Sequence, residues 1–186
     1  MVVQLRAQAI VMHVFYIVAG HIIHTYGRLR TCREMTLTAG PWVMAPYPAD
    51  DLCVIDCLPF HDPTSEELRE HAGVHPAMID GVIGHTAKLR SVFESVLHHL
   101  ATVENPRLYT ACKAGRHRCV AVLTVLRICL SSTYGDQLKM HIAYADFDNF
   151  SKQKKRCVTG QCQECKASPQ RVAEALELWQ QVMDSR

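Results

Sequence analysis

The stretch from Leu108 to Leu130 constrains the fold more than any other. Leu108-Tyr109-Thr110-Ala111 has the character of a buried strand, the next eight residues form a basic turn, and Val120 to Leu130 are apolar on nearly every side. A helix that is apolar all round must be enclosed by other elements. A strand leading through a short loop into such a helix is a unit of a layered α/β domain. The loop itself, Cys112, Lys113, Ala114, Gly115, Arg116, His117, Arg118 and Cys119, has the makings of an anion site. The first amides of the helix lack intrahelical partners, the helix dipole is positive there, and Arg116, His117 and Arg118 add charge. Phosphate is the natural ligand. No Gly-Lys-Ser/Thr closes the loop, so its spacing does not imply a nucleotide.

The rest of the chain supplies what such a unit needs. With 186 residues it holds one domain's worth of core, which folds without disulfide staples. Strand character recurs over Met35 to Thr38, Leu52 to Asp56 and Leu138 to Tyr144, and a Pro-rich loop with three prolines, Gly40 to Pro48, separates the first two. Thr64-Ser65-Glu66-Glu67 has capping-box spacing before a short helix that ends near Gly73. From about Thr86 to Val103, Leu89, Val92, Phe93, Val96, Leu97 and Leu100 form one buried helical stripe. Ser168 followed by Pro169 predicts a last helix over 168–184, with Val172, Ala175, Leu176, Trp179, Val182 and Met183 facing the core. The expected fold is α/β, a small mixed or parallel sheet flanked by helices, with the domain over 34–186.

Residues 1–33 differ. They contain no acidic residue, and Arg6, Arg28, Arg30 and Arg33 flank an apolar run from Ala9 to Ile23. The run is shorter than the roughly 20 apolar residues of a membrane span, and His13 and His21 interrupt it. A targeting segment, an accessory helix, or a start placed upstream of Met35 ranks above a membrane span. Near-equal charge, 20 Lys plus Arg against 18 Asp plus Glu, excludes a polycation. Nine cysteines, an odd number, argue against a complete disulfide framework and for an intracellular, reducing compartment, with organelle targeting by the first segment left open.

Three of those cysteines cluster in a knuckle over 157–165. Cys162 and Cys165 have the two-residue spacing that puts both thiolates on one ion, and Cys157 joins them. We expect a structural zinc whose fourth ligand is His141, a distant Cys such as Cys129, or a residue of a second chain. The alternative is three free surface thiols. Lys152, Lys154, Lys155 and Arg156 precede the knuckle, with Phe147 and Phe150 nearby, a pattern that suits an RNA backbone or a solvated charged face.

The loop at Cys112 admits two functional readings. Cys112 and Arg118 are separated by five residues, the Cys-x5-Arg arrangement of a cysteine-dependent phosphatase, in which a thiolate attacks phosphorus and the arginine clamps the oxygens. Asp56 and Asp62 are candidate acids. Ala111 and Cys119, however, stand where such enzymes place His and Ser or Thr, and Cys112 also reads as a small buried strand-end residue. The second reading uses more of the chain. Cys-x-x-Gly-Arg-His-Arg at 112–118 resembles the loop of the C-terminal domain of the RapZ-type RNase adaptor family. Val54-Ile55-Asp56-Cys57-Leu58-Pro59 is similar to that domain's Asp-x-Arg-x-Leu-Pro segment, and Glu67-Leu68-Arg69-Glu70-His71-Ala72-Gly73-Val74 to its Glu-Leu-Arg-x-Leu-Thr-Gly-x stretch. The resemblance spans about residues 34 to 147.

It implies a small α/β domain without the family's N-terminal P-loop NTPase. In that family the domain binds small RNA and a phosphorylated sugar and helps the protein oligomerise. Gly115, Arg116, His117 and Arg118 match the family loop, and His61 falls near a histidine that follows the Leu-Pro segment. Lys113, Ala114 and Cys119 replace the family's Thr, Gly and Ser, which leaves the phosphate preference in place and the sugar specificity open. The expected function is therefore a phosphate-group-binding module for a phosphorylated metabolite, nucleotide or RNA backbone, with the phosphatase as the alternative and a homo-oligomer as a further expectation.

Overall fold

The computed structural model describes residues 34–61, 66–145, 157 and 160–186. The N-terminal extension, Asp62, the Thr64 cap, Phe147, Phe150 and the Lys152 to Arg156 run lie outside them.

Four strands form one parallel sheet: β1 (Glu34–Pro41), β2 (Leu52–Asp56), β3 (Arg107–Cys112) and β4 (Lys139–Tyr144), in the order β2-β3-β1-β4. All three pairings are parallel, with Leu37 beside Leu108 and Ile142, and Cys53 beside Leu108. The helices are α1 (Glu66–Arg69), α2 (Pro76–Ile83), α3 (Thr86–Thr102), α4 (Arg118–Tyr134) and α5 (Val172–Asp184). The expected α/β architecture is thus the one observed, and its sheet is wholly parallel.

Alternation along the strands selects the core face. Met35, Leu37 and Ala39 of β1, Ile55 of β2, and Leu108 and Cys112 of β3 enter one hydrophobic cluster with the inner faces of α2 to α5. Packing explains the all-round apolarity of α4: it lies against β1 and β3 and is also flanked by α2 and α5. Ten of its residues, from Cys119 to Leu130, are buried. With the turn that follows it, Arg118–Gln137, this helix is also long and apolar enough to cross a membrane, a test that a mostly buried core helix can pass as well.

Two elements depart from expectation. Helix α2 has no clear stripe in the sequence, because Gly81 sits within it and it spans only eight residues. It forms because His75 caps it, accepting from the amide of Ala77 at 3.2 Å, and because Pro76 takes the first position, where no amide partner is needed. The last helix begins at Val172, not near Ser168. The carboxylate of Asp80 in α2 accepts from the amides of Gln170 (3.4 Å) and Arg171 (3.2 Å), so a tertiary contact holds the segment that Ser168 was expected to cap. The expected stripe of α5 holds otherwise. Leu178 joins it, and Trp179 packs edge-on against Phe93 with ring centroids 5.0 Å apart.

Candidate functional site

β3 is a central strand, and it delivers Cys112 to the carboxyl edge of the sheet, where parallel α/β sheets bind their ligands. The chain turns at Gly115, whose φ of 70° is open to glycine at little cost. A Cβ there would meet the Cδ of Pro41 at 2.4 Å, so the turn is pressed against the end of β1. Helix α4 starts at Arg118, and no side chain caps its first amides. The backbone amides of Gly115, His117 and Cys119 instead converge on the sulfur of Cys112. Cys112 Sγ and Cys119 Sγ also share a thiol hydrogen bond, at 3.1 Å. That thiol hydrogen bond is the largest influence on Cys112; with the three amides it outweighs burial and lowers the Cys112 pKa to about 5. The same hydrogen bond, together with burial, raises the Cys119 thiol far above its ordinary range. Cys57, fully buried beside them, is pushed up mainly by burial and then by the charge of Cys112.

The three stretches that carry the family resemblance meet at this loop. From the 54–59 stretch, Leu58 accepts through its carbonyl from the Arg118 guanidinium at 2.9 Å, as does Phe60 at 3.5 Å, and the amide of Cys57 donates to Ala111 at 2.8 Å. From the 67–74 stretch, the amide of Gly73 donates to the Arg116 carbonyl at 2.9 Å. Gly73 has to be glycine, because a Cβ would lie 2.1 Å from the His117 carbonyl oxygen. Lys113 and Ala114 are exposed, Arg116 and Arg118 are half-buried and His117 is buried, so the loop presents its cations on one rim. His61 is exposed and follows Phe60, with its ring 6.5 Å from that of His85. Asp56 accepts from the amide of Leu58 at 2.8 Å, which makes it a turn former.

The second cluster lies on the other side of the 70–75 segment. Cys157, Cys162, Cys165 and His71 bring one ligand atom each within 4.8 Å of all the others, a set that could hold a metal ion. His71 Nδ1 is 3.3 Å from Cys165 Sγ and 3.5 Å from Cys162 Sγ, and Cys157 Sγ is 3.6 Å from Cys165 Sγ. The Cys165 amide donates to Cys162 Sγ at 3.4 Å, as amides do to paired thiolates on one ion. His71 turns its other ring nitrogen toward Glu164, at 3.3 Å, the outer carboxylate that usually fixes the tautomer of a ligating histidine.

The fourth member of the cluster is therefore His71, in place of the residues expected. His141 lies exposed on β4 beside Glu34, and Cys129 is buried in α4 facing the Ala175 carbonyl, so neither reaches the cluster. No spacing rule links a histidine to cysteines 91 and 94 residues downstream, and only the fold makes the pairing. The sequence holds one hint, the proximity of His71 and His75, whose rings lie tilted to each other with centroids 4.6 Å apart, both facing Glu164.

Two outcomes are expected. Full-length protein purified without added metal carries close to one equivalent per chain, His71→Ala and Cys165→Ser lose it, and chelation lowers the melting temperature on the order of 10 °C; metal content below half an equivalent contradicts the cluster. Absorbance of thiolate at 240 nm shows a titration centred near pH 5 that Cys112→Ser removes. Because the folded value lies below the unfolded one, the stabilisation from this thiolate is fully present above the unfolded pKa and fades as pH falls from about 9 toward 5. A midpoint near 9 rejects the arrangement.

In comparison with known proteins, no protein-family model and no curated protein matches this chain.

Proposed function

We propose that this chain is a RapZ C-terminal-like domain that binds a phosphate group in the loop from Cys112 to Cys119. The observation that carries the reading is the convergence of the Gly115, His117 and Cys119 amides on one point at the N-terminus of a buried helix. Amides gathered there, with Lys113, Arg116 and Arg118 around them, favour an oxyanion. The meeting of the 54–59 and 67–74 stretches at the same loop supports the family reading, since each touches the loop through a backbone or guanidinium hydrogen bond. A phosphorylated metabolite, a nucleotide or an RNA backbone offers the same chemical group.

Zinc is the ion that the Cys3His set suits best. Metal–sulfur bonds of about 2.3 Å in a tetrahedron separate sulfurs by roughly 3.8 Å and sulfur from nitrogen by roughly 3.5 Å, close to the edges of this cluster. Its role is structural: all four positions are filled by protein, and the knuckle is tied to the domain through the Cys157 amide, which donates to Glu70 at 3.3 Å.

One observation favours the phosphatase as a second reading. Cys112 is held as a thiolate at neutral pH, with five residues between it and Arg118. Against it, the Arg118 guanidinium is engaged by the Leu58 and Phe60 carbonyls, and Asp56 is committed to its own turn. The two readings separate on one pair of measurements. Calorimetric titration with inorganic phosphate gives binding that Arg116→Ala weakens about 10-fold or more, as loss of a charge-assisted hydrogen bond should, while para-nitrophenyl phosphate is not turned over. Turnover abolished by Cys112→Ser supports the phosphatase, and absence of any phosphate binding by the wild type removes the primary reading.

A further inference from the structure

We propose that Cys112 and Cys119 are a peroxide-oxidised pair whose disulfide closes the anion loop. Their sulfurs stand 3.1 Å apart, and a disulfide bond needs about 2.05 Å, so closing the bond asks for a shift of roughly 1 Å. The pair straddles the loop: Cys112 ends β3 and Cys119 opens α4.

The chemistry balances with a peroxide as the oxidant. The Cys112 thiolate attacks one oxygen of hydrogen peroxide, the O–O bond breaks, and the departing hydroxide takes a proton from solvent to leave as water. Cys112 is then a sulfenic acid. Its negative charge is gone, and with it the interaction that held the proton on Cys119. The Cys119 sulfur attacks the Cys112 sulfur, the S–O bond breaks, and hydroxide leaves with the Cys119 proton as a second water. Two thiols lose two electrons and one peroxide gains them.

Geometry favours Cys119 over the other neighbouring thiol. Cys57 is fully buried, but its thiol donates toward the Ile55 carbonyl at 3.6 Å and not toward Cys112. The Cys119 sulfur already lies 3.1 Å from that of Cys112, and Thr110 Oγ1 donates to the Cys119 carbonyl at 3.0 Å, which fixes the first turn of α4 beside the strand. The oxidised loop loses the anionic sulfur on which its three amides are organised, so the amide cradle cannot keep its reduced shape. That consequence for ligand binding rests on the phosphate reading; the disulfide itself does not.

Trypsin cuts between the two cysteines, at Lys113, Arg116 and Arg118, so the bond is read directly as a linked pair of peptides, Leu108–Lys113 with Cys119–Arg127. Metal-loaded full chain is treated with a few equivalents of hydrogen peroxide, blocked with N-ethylmaleimide, and digested without reductant. The expected product is that linked pair, reversed by dithiothreitol, with Cys119→Ser and Cys119→Ala instead trapping a dimedone adduct on Cys112. Both cysteines recovered as maleimide adducts, Cys112 recovered only as sulfinic or sulfonic acid, or a link from Leu108–Lys113 to Glu34–Arg69, which carries Cys57, overturns the pairing. Inorganic phosphate is then titrated into reduced and oxidised protein. Binding that falls at least 10-fold on oxidation is expected, and equal binding overturns the closure. If the reduced chain binds no phosphate while the linked peptides form, it is the phosphate reading that fails.

Discussion

One backbone hydrogen bond, from the Gly73 amide to the Arg116 carbonyl, joins the two halves of this domain that carry chemistry. On one side of it the 112–119 loop curls around Cys112. On the other, His71 turns into the cysteine cluster, and the Cys157 amide reaches back to the Glu70 carbonyl. Residues 70–75 have little regular structure of their own between the single turn of α1 and the cap of α2. Such a segment would open readily if nothing tied it down. The contacts of His71 with the cysteines supply a tie, which a metal ion held there would strengthen, and Gly160, where a Cβ would press into Val74 at 2.2 Å, shows how closely the knuckle is seated on it. The Cys3His cluster is thereby linked to the loop through the position of Gly73.

The loop depends equally on the burial of α4. Sheet, α2 and α5 surround that helix, and its position fixes where the first amides of the helix lie. Cys119, within the first turn, is held by Thr110 of the neighbouring strand, which also reaches the Thr38 carbonyl in β1 at 3.2 Å. The result is an amide cradle built on rigid elements and not on a free loop, which suits precise recognition of a small anion.

Much of this architecture was legible in the sequence because it rests on local periodicity. The all-round apolarity of Val120 to Leu130 and the stripe from Leu89 to Leu100 report burial directly, and these helices and the strand at Leu52 to Asp56 lie where they were expected. The three knuckle cysteines were legible from spacing alone, and they stand together. What escaped were features decided by tertiary contact. Helix α2 is too short to show a period and depends on His75 and Pro76. The start of α5 is set by Asp80, which lies in a different helix. His71 becomes a ligand only because the chain after β4 folds back over the 70–75 segment. The contact between Cys112 and Cys119 likewise needs the helix to rise beside the strand, a matter of geometry that the spacing of the two residues does not disclose.

The proposed function requires the loop amides to form an oxyanion site. The most direct measurement is a crystal structure of the full chain soaked with tungstate, an electron-dense mimic of phosphate. The expected result is one tungstate bound by the amides of the loop between Cys112 and Cys119, with Arg116 or Lys113 against it, and displaced by excess inorganic phosphate. Tungstate bound elsewhere while this loop stays empty would contradict the account.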